Sequence, residues 1–112
     1  MPLLNVRTNI AIDDKSATAL QASKLAADII AKPEAYVMVL IEDQQALVFA
    51  GNNQPAAYLE LKSIGLPEQK TAELSAGLCN WVSEQLGIDS SRIYIEFSNA
   101  ERHMWGWKGA TF

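Results

Sequence analysis

The side chains that most often catalyse reactions or bind metals are scarce in this sequence. It contains one cysteine, Cys79, and one histidine, His103. A single cysteine excludes an internal disulfide and a Cys-x-x-Cys redox pair, and these two residues are too few for a typical zinc site. A hydrolase triad would have to use His103 as its base, with the nucleophile beside it in space. We therefore expect neither a metal nor a cofactor.

The nitrogen of Pro2, directly after Met1, is the remaining candidate for chemistry. Removal of Met1, which a small second residue favours, exposes a secondary amine. A free α-amino group titrates at about 7.7–8.0. Burial and a nearby cation both lower that pKa, so such an amine becomes a neutral general base near pH 7. The alternative is that Met-Pro is only a common way for a chain to begin. If Met1 is retained, the Pro2 nitrogen is an amide and is not basic.

The first half of the chain has the pattern of a helix between strands. Its predicted elements are a strand at residues 3–9, a helix from Asp13 or Asp14 to about Ala31, a strand at residues 36–41, and residues 45–49, which can pair with that strand. An aspartate is a favourable N-cap. Lys32-Pro33 ends the helix, because the residue before a proline avoids the helical conformation.

The second half repeats this plan. Its predicted elements are a strand at residues 57–63, a helix with Pro67 in its first turn and Gly87 as its C-cap, a strand at residues 92–97, and a last short strand that begins at Gly106-Trp107. Proline suits a first helical turn and glycine suits a C-cap.

Strand, helix and strand thus occur twice, about 55 residues apart, with no low-complexity linker between them. We predict a single α/β (α+β) domain over residues 1–112, with two βαβ halves at about 2–55 and 56–112. The two helices cover one face of a four-stranded sheet, and short extra strands complete the fold.

Within the predicted strand at 36–41, residues 37–41 are apolar at every position, which is typical of a strand buried on both faces. Since two helices cover only one face of the sheet, we expect another copy of the chain to cover the other. The alternative is that Val37, Val39 and Ile41 face the helices while Met38 and Leu40 are ordinary surface residues.

Charge and hydropathy exclude several classes of partner. The formal net charge is −4 and lysine and arginine form no cluster, which argues against nucleic acids and anionic membranes. No apolar run approaches the roughly 20 residues of a membrane-spanning helix. The first residues lack the pattern of a signal peptide. We therefore expect a cytoplasmic protein.

Several short motifs together indicate a family. They are Pro2, Thr8-Asn9, Lys32-Pro33 with Tyr36, Ser63-Ile64-Gly65, the Arg-Ile-Tyr-Ile run at 92–95, Gly106-Trp107 and Thr111-Phe112. Each motif is weak alone, but their order and spacing over the whole chain resemble the macrophage migration inhibitory factor family of the tautomerase superfamily.

That resemblance implies a homotrimer whose sheets surround a central channel, with active sites between neighbouring subunits. It implies a keto–enol tautomerase that acts on phenylpyruvate-like α-keto acids, and also on dopachrome-type compounds. Pro2 would be the catalytic base. Lys32 would bind the substrate's carboxylate or carbonyl oxygen and lower the pKa of Pro2, and the backbone N–H of Ile64 would donate to the substrate. The alternative for Lys32 is a favourable charge at a helix C-terminus.

Aromatic residues complete the pocket that the resemblance implies. Tyr94 would stand at the mouth of the neighbouring subunit's pocket, and Tyr36, Trp105, Trp107 and Phe112 would form walls suited to a phenyl ring. The alternatives are a core tyrosine at position 94 and ordinary interface packing for the other four.

The sequence also departs from the family's vertebrate members. Glu96 replaces an asparagine at the pocket rim, where a carboxylate is expected to repel an anionic keto acid. Trp105 replaces a small aliphatic residue and would narrow the entrance. A Cys-x-x-Cys motif of those members aligns with Ala56 and Leu59 here, so its thiol chemistry is not available.

A second class of function stays open. Vertebrate members of the family are also cytokines that leave the cell without a signal peptide. The alternative function is therefore a leaderless secreted signal that binds a protein receptor, with a pocket that is only vestigial.

Overall fold

A computed structural model describes all 112 residues. Its regular elements are β1 (Leu3–Thr8), α1 (Lys15–Ile30), β2 (Met38–Glu42), β3 (Ala57–Ile64), α2 (Thr71–Leu86), β4 (Ile93–Ala100), β5 (Gly106–Trp107) and β6 (Ala110–Thr111). The order of these elements confirms the two strand–helix–strand repeats.

The four long strands form one mixed sheet in the order β2-β1-β3-β4. Strand β1 is parallel to β2 and antiparallel to β3, and β3 is parallel to β4. Each helix therefore connects two parallel strands, as a βαβ unit requires. Strands β5 and β6 form a separate antiparallel pair. The predicted fold class is confirmed.

The core lies between the sheet and the two helices. Alternate residues of the central strands face the helices and have no solvent exposure, namely Leu4, Val6, Leu59 and Leu61. They pack against buried residues of α1 and α2 at helical spacing, which include Ala22, Ala26, Leu74, Leu78 and Val82. Neither helix is long and apolar enough to cross a membrane.

Two local predictions are wrong. Tyr36 is not in a strand but in a single 3₁₀ turn at Glu34–Tyr36, since its N–H donates to the Pro33 carbonyl oxygen at 3.1 Å. Residues 45–49 do not pair with β2 within the chain. The Gln45 N–H instead donates to the Thr8 carbonyl oxygen at 2.9 Å, which carries the segment away from β2.

The start of α2 also differs from the prediction. A 3₁₀ turn at Glu68–Lys70 follows Pro67, and the α-helix begins at Thr71. The predicted caps Asp14 and Gly87 are confirmed. The Asp14 carboxylate accepts from the Ala17 N–H at 3.0 Å, and Gly87 has a positive φ of 68°.

The sheet face opposite the helices is open in the single chain. Met38 and Leu40 are 62% and 47% exposed on this face, while Val39 and Ile41 are half-buried against the core. The strand thus alternates in the single chain, as the alternative interpretation held. Coverage of the open face by another copy stays a prediction.

Several charged side chains also lie on the open face. Arg7 contacts Glu42 at 2.7 Å and Glu60 at 3.7 Å. Farther along the sheet, the Tyr58 hydroxyl donates to the Glu96 carboxylate at 2.5 Å. This hydrogen bond, together with burial, raises the pKa of Tyr58 to about 12, because the carboxylate favours the neutral phenol and repels its anion.

Alkaline titration followed by tyrosinate absorbance tests that hydrogen bond. One of the three tyrosines should ionise near pH 12, and Glu96→Gln should lower this pKa toward the ordinary value of about 10. Tyr58→Phe should remove the same step and leave the other two tyrosines unchanged. A titration curve that Glu96→Gln does not alter would show that Tyr58 and Glu96 are not bonded in solution.

Candidate active site

The position of residue 2 is fixed by the sheet. Pro2 immediately precedes β1, its side chain is fully buried, and its carbonyl oxygen accepts from the Met38 N–H at 3.0 Å. The parallel pairing of Leu3 with Met38 continues that bond along the two strands. The start of the chain is therefore held against the sheet and is not a free end.

A cavity of about 520 Å³ opens beside Pro2. We call it the aromatic cavity; its lining is mostly hydrophobic and consists of Met1, Pro2, Leu3, Ala35, Tyr36, Val37, Met38, Trp105, Gly106, Trp107 and Phe112. The Trp107 and Phe112 rings are stacked with centroids 5.6 Å apart, and Tyr36 meets Trp107 edge-on at 6.4 Å. Its volume and its mostly apolar, aromatic walls are typical of small-molecule binding pockets.

A second cavity of about 340 Å³ adjoins the first, since both are lined by Met1, Tyr36 and Phe112. We call it the cationic cavity; its other lining residues are Ala31, Lys32, Pro33, Ile64 and Arg102. Neither Lys32 nor Arg102 forms an ion pair within the chain. Two unpaired cations in one cavity suit a ligand with an anionic group.

The end of α1 positions Lys32. Ala31 adopts a left-handed conformation with φ of 59°, and the Lys32 N–H donates to the Ala27 carbonyl oxygen at 3.1 Å, so the chain turns sharply before Pro33. Such a turn is a common helix C-terminus. The Lys32 ammonium lies 3.9 Å from the point that a Cβ on Gly65 would occupy.

Ile64 reaches the same cavity from the end of β3. The next residue, Gly65, has a positive φ of 64°, which a side chain would strain. This conformation explains why a glycine suits the position. The half-buried Ile64 side chain forms part of the cavity wall. Donation by its backbone N–H to a substrate stays a prediction.

These surroundings affect the first amine of the chain, the α-amino group of Met1. Its pKa is lowered, mainly by burial and secondly by the positive charge of Lys32. Both effects disfavour the protonated amine.

Seven of the nine predicted site residues surround the two cavities: Pro2, Lys32, Tyr36, Ile64, Trp105, Trp107 and Phe112. Tyr94 and Glu96 do not. Both belong to β4; Tyr94 is 64% exposed and contacts the Phe49 ring, and Glu96 is bonded to Tyr58. Within one chain these two residues are separate from the cavities.

No sequence motif indicated Arg102 as a site residue. The residue belongs to a 3₁₀ turn at Arg102–Met104, between β4 and β5. A possible signal was its place three residues before Trp105, in the segment that supplies the aromatic walls. No group of three or more His, Cys, Asp or Glu side chains is placed to hold a metal ion. A further cavity, lined partly by Asp13 and Asp14, shares no residue with the first two.

Comparisons with known proteins agree over the whole chain. A family model described as "Macrophage migration inhibitory factor (MIF)" matches residues 1–112. A macrophage migration inhibitory factor homologue of Trichinella spiralis is 38% identical over 114 aligned residues, which cover all of both chains. The macrophage migration inhibitory factor of Xenopus tropicalis is 34% identical and matches all of this chain and 99% of its own.

Solved structures agree as well. The fold superposes on a macrophage migration inhibitory factor homologue of Prochlorococcus marinus with a TM-score of 0.91, at 37% identity and over 98% of each chain. The Trichinella spiralis structure gives a TM-score of 0.93, also at 37% identity, over 98% of this chain and 99% of that one. This chain therefore belongs to the macrophage migration inhibitory factor family.

Proposed function

We propose that this protein is a keto–enol tautomerase that acts on phenylpyruvate-like α-keto acids, with Pro2 as its general base. The observation that carries the proposal is that the aromatic and cationic cavities adjoin at the start of the chain. Family membership supports it, because the family is associated with tautomerase activity.

The layout of the two cavities corresponds to the layout of the substrate. In an arylpyruvate, the carbon that loses a proton lies between the aryl ring on one side and the keto and carboxylate groups on the other. With the ring in the aromatic cavity and the anionic end in the cationic cavity, this carbon lies where the two cavities meet. Met1 lines both cavities, and Pro2 lines the first.

The base is the secondary amine that removal of Met1 creates at Pro2. Pro2 is more deeply buried than Met1, and burial is the larger cause of the lowered pKa of the present α-amino group. The Pro2 amine is therefore expected to be neutral near pH 7 and able to accept a proton.

The reaction moves one proton from carbon to oxygen and shifts two pairs of electrons. The Pro2 nitrogen takes the proton from the carbon beside the carbonyl group, and the electrons of that C–H bond form the C=C bond of the enol. The π electrons of the C=O bond move to the carbonyl oxygen, and a cation at Lys32 stabilises the negative charge that develops there. This oxygen then gains a proton, and the Pro2 amine releases the one it took. The reverse sequence gives the keto form.

We further propose that the active protein is a homotrimer in which Tyr94 and Glu96 of a neighbouring chain stand near the cavities. The open sheet face supports assembly, since it exposes Met38 and Leu40. The buried Asn5 Oδ1 on the same face has no hydrogen-bond partner within the chain, and buried polar atoms normally have one. The outer strands β2 and β4 also have unpaired edges that another chain can cover.

Sedimentation velocity at micromolar concentration tests the assembly, and we expect the mass of three chains. Leu40→Glu should dissociate the trimer, because it places a charge in the apolar part of the open face. Leu20→Glu is the matched control, since Leu20 is 66% exposed on α1, and it should leave the mass unchanged. A stable wild-type monomer at this concentration would contradict the trimer.

Blocking the amine tests the chemistry. The protein that begins at Pro2 should tautomerise phenylpyruvate with a rate that rises with pH through one ionisation below the ordinary α-amino pKa of roughly 7.7–8.0. A variant with one uncleaved residue before Pro2 has an amide nitrogen there and should lose about 10²–10⁴-fold in kcat. Mass spectrometry and sedimentation must show that both proteins have the intended N-terminus and the same assembly. Equal turnover by the two would mean that Pro2 is not the base.

A further inference from the structure

Arg102 is the second cation of the cationic cavity, and its guanidinium group has no partner within the chain. The neighbouring carboxylate of Glu101 lies 3.5 Å from the His103 ring instead. The 3₁₀ turn is held through its backbone, since the Trp105 N–H donates to the Arg102 carbonyl oxygen at 3.3 Å. The turn thus fixes the backbone position of Arg102, while the five N–H donors of the guanidinium group stay available to a ligand.

We infer that Arg102 determines specificity by binding the substrate's carboxylate, and that Lys32 is thereby left for the keto oxygen. The inference rests on the proposed function. Arg102 belongs to none of the sequence motifs. Each cation of the cavity then binds a different group of the α-keto acid, Arg102 the carboxylate and Lys32 the keto oxygen.

The chemistry of the two side chains supports this division. A guanidinium group is a planar fork that binds both oxygens of a carboxylate at once, whereas an ammonium group is a compact point charge. The oxygen that develops charge is attached to the carbon next to the one that loses its proton. The cation that stabilises this oxygen must therefore be the one nearer the base. That cation is Lys32, because its charge acts on the first amine of the chain.

Arg102 lines the cationic cavity but not the aromatic one, and Phe112 lines both. Arg102 also lines a further cavity with Trp107, Lys108 and Phe112. A ligand whose ring packs against Phe112 in the aromatic cavity therefore extends its other end past Phe112 toward Arg102. The nearby Lys108 ammonium instead lies 5.8 Å from the centroid of the Trp107 ring and does not line the cationic cavity.

Steady-state kinetics with a charged and an uncharged substrate tests the inference. Arg102→Gln should raise KM for phenylpyruvate about tenfold and change KM for phenylpyruvate methyl ester less than about twofold, because the ester has no carboxylate. Arg102→Lys keeps the charge but loses the planar fork, so its KM for phenylpyruvate should lie between those of the wild type and Arg102→Gln. Lys108→Gln removes the same charge close by and is the control; its KM for the acid should equal that of the wild type.

A binding measurement separates this inference from the proposed function. The probe is 3-phenylpropanoate, which has the ring and the carboxylate but no keto group, followed by tryptophan fluorescence. Its Kd should rise about tenfold in Arg102→Gln and stay unchanged in Lys108→Gln. If the wild type binds the probe in this Arg102-dependent way but does not turn over phenylpyruvate, the inference stands and the tautomerase proposal fails. If Arg102→Gln leaves both the KM for the acid and the Kd unchanged, or if the wild type does not bind the probe, the inference is overturned.

Discussion

The hydrogen bond from the Met38 N–H to the Pro2 carbonyl oxygen, at 3.0 Å, joins the second residue of the chain to β2. Chain ends usually fray because little holds them. Here the bond continues directly into the parallel pairing of β1 with β2, so residue 2 has a fixed position and orientation. A base that is to remove a proton from carbon needs such a position, since small misplacements cost much of the rate.

The other elements meet at this fixed point. The left-handed turn at Ala31 ends α1 and brings Lys32 to the cationic cavity, and the end of β3 brings Ile64 to it. The β5–β6 pair supplies Trp107 to the aromatic cavity. Backbone geometry therefore brings Pro2, Lys32, Ile64 and Trp107 to the two cavities from four different elements of the fold.

The cationic cavity brings two cations without an ion pair together in an acidic chain. Lys32 and Arg102 both line it, and neither contacts a carboxylate, although the chain has a net charge of −4. Unpaired cations at a partly enclosed site attract an anion more strongly than paired ones do, because no internal carboxylate offsets their field. The same field disfavours a proton on the first amine.

Local patterns in the sequence predicted most of this fold. Asp14 begins α1 by accepting a hydrogen bond with its side chain, and Gly87 ends α2 by adopting a positive φ. The alternating residues of β3 mark its buried face. The prediction failed where a more distant bond decides the conformation. Residues 45–49 are apolar enough for a strand, but the bond from the Gln45 N–H to the Thr8 carbonyl oxygen directs them elsewhere.

The sequence predicted only those residues of the candidate site that stand in recognisable motifs. Pro2, Lys32 and Ile64 stand in recognisable short motifs, whereas Arg102 stands in none. Arg102 reaches the cavity only because a 3₁₀ turn between β4 and β5 brings the chain back beside the end of α1, and no short-range pattern encodes that approach. Tyr94 and Glu96 line neither cavity within one chain, and their approach to the cavities belongs to the proposed trimer.

Titration of the Pro2 nitrogen tests whether its amine is a neutral base near pH 7. Pro2 can be labelled with nitrogen-15 in the processed protein and its chemical shift followed by NMR as the pH changes. We expect a pKa below the ordinary α-amino value of roughly 7.7–8.0, which rises when Lys32 is replaced by Gln. A pKa at or above the ordinary value, unchanged in Lys32→Gln, would mean that Pro2 is not the proposed base.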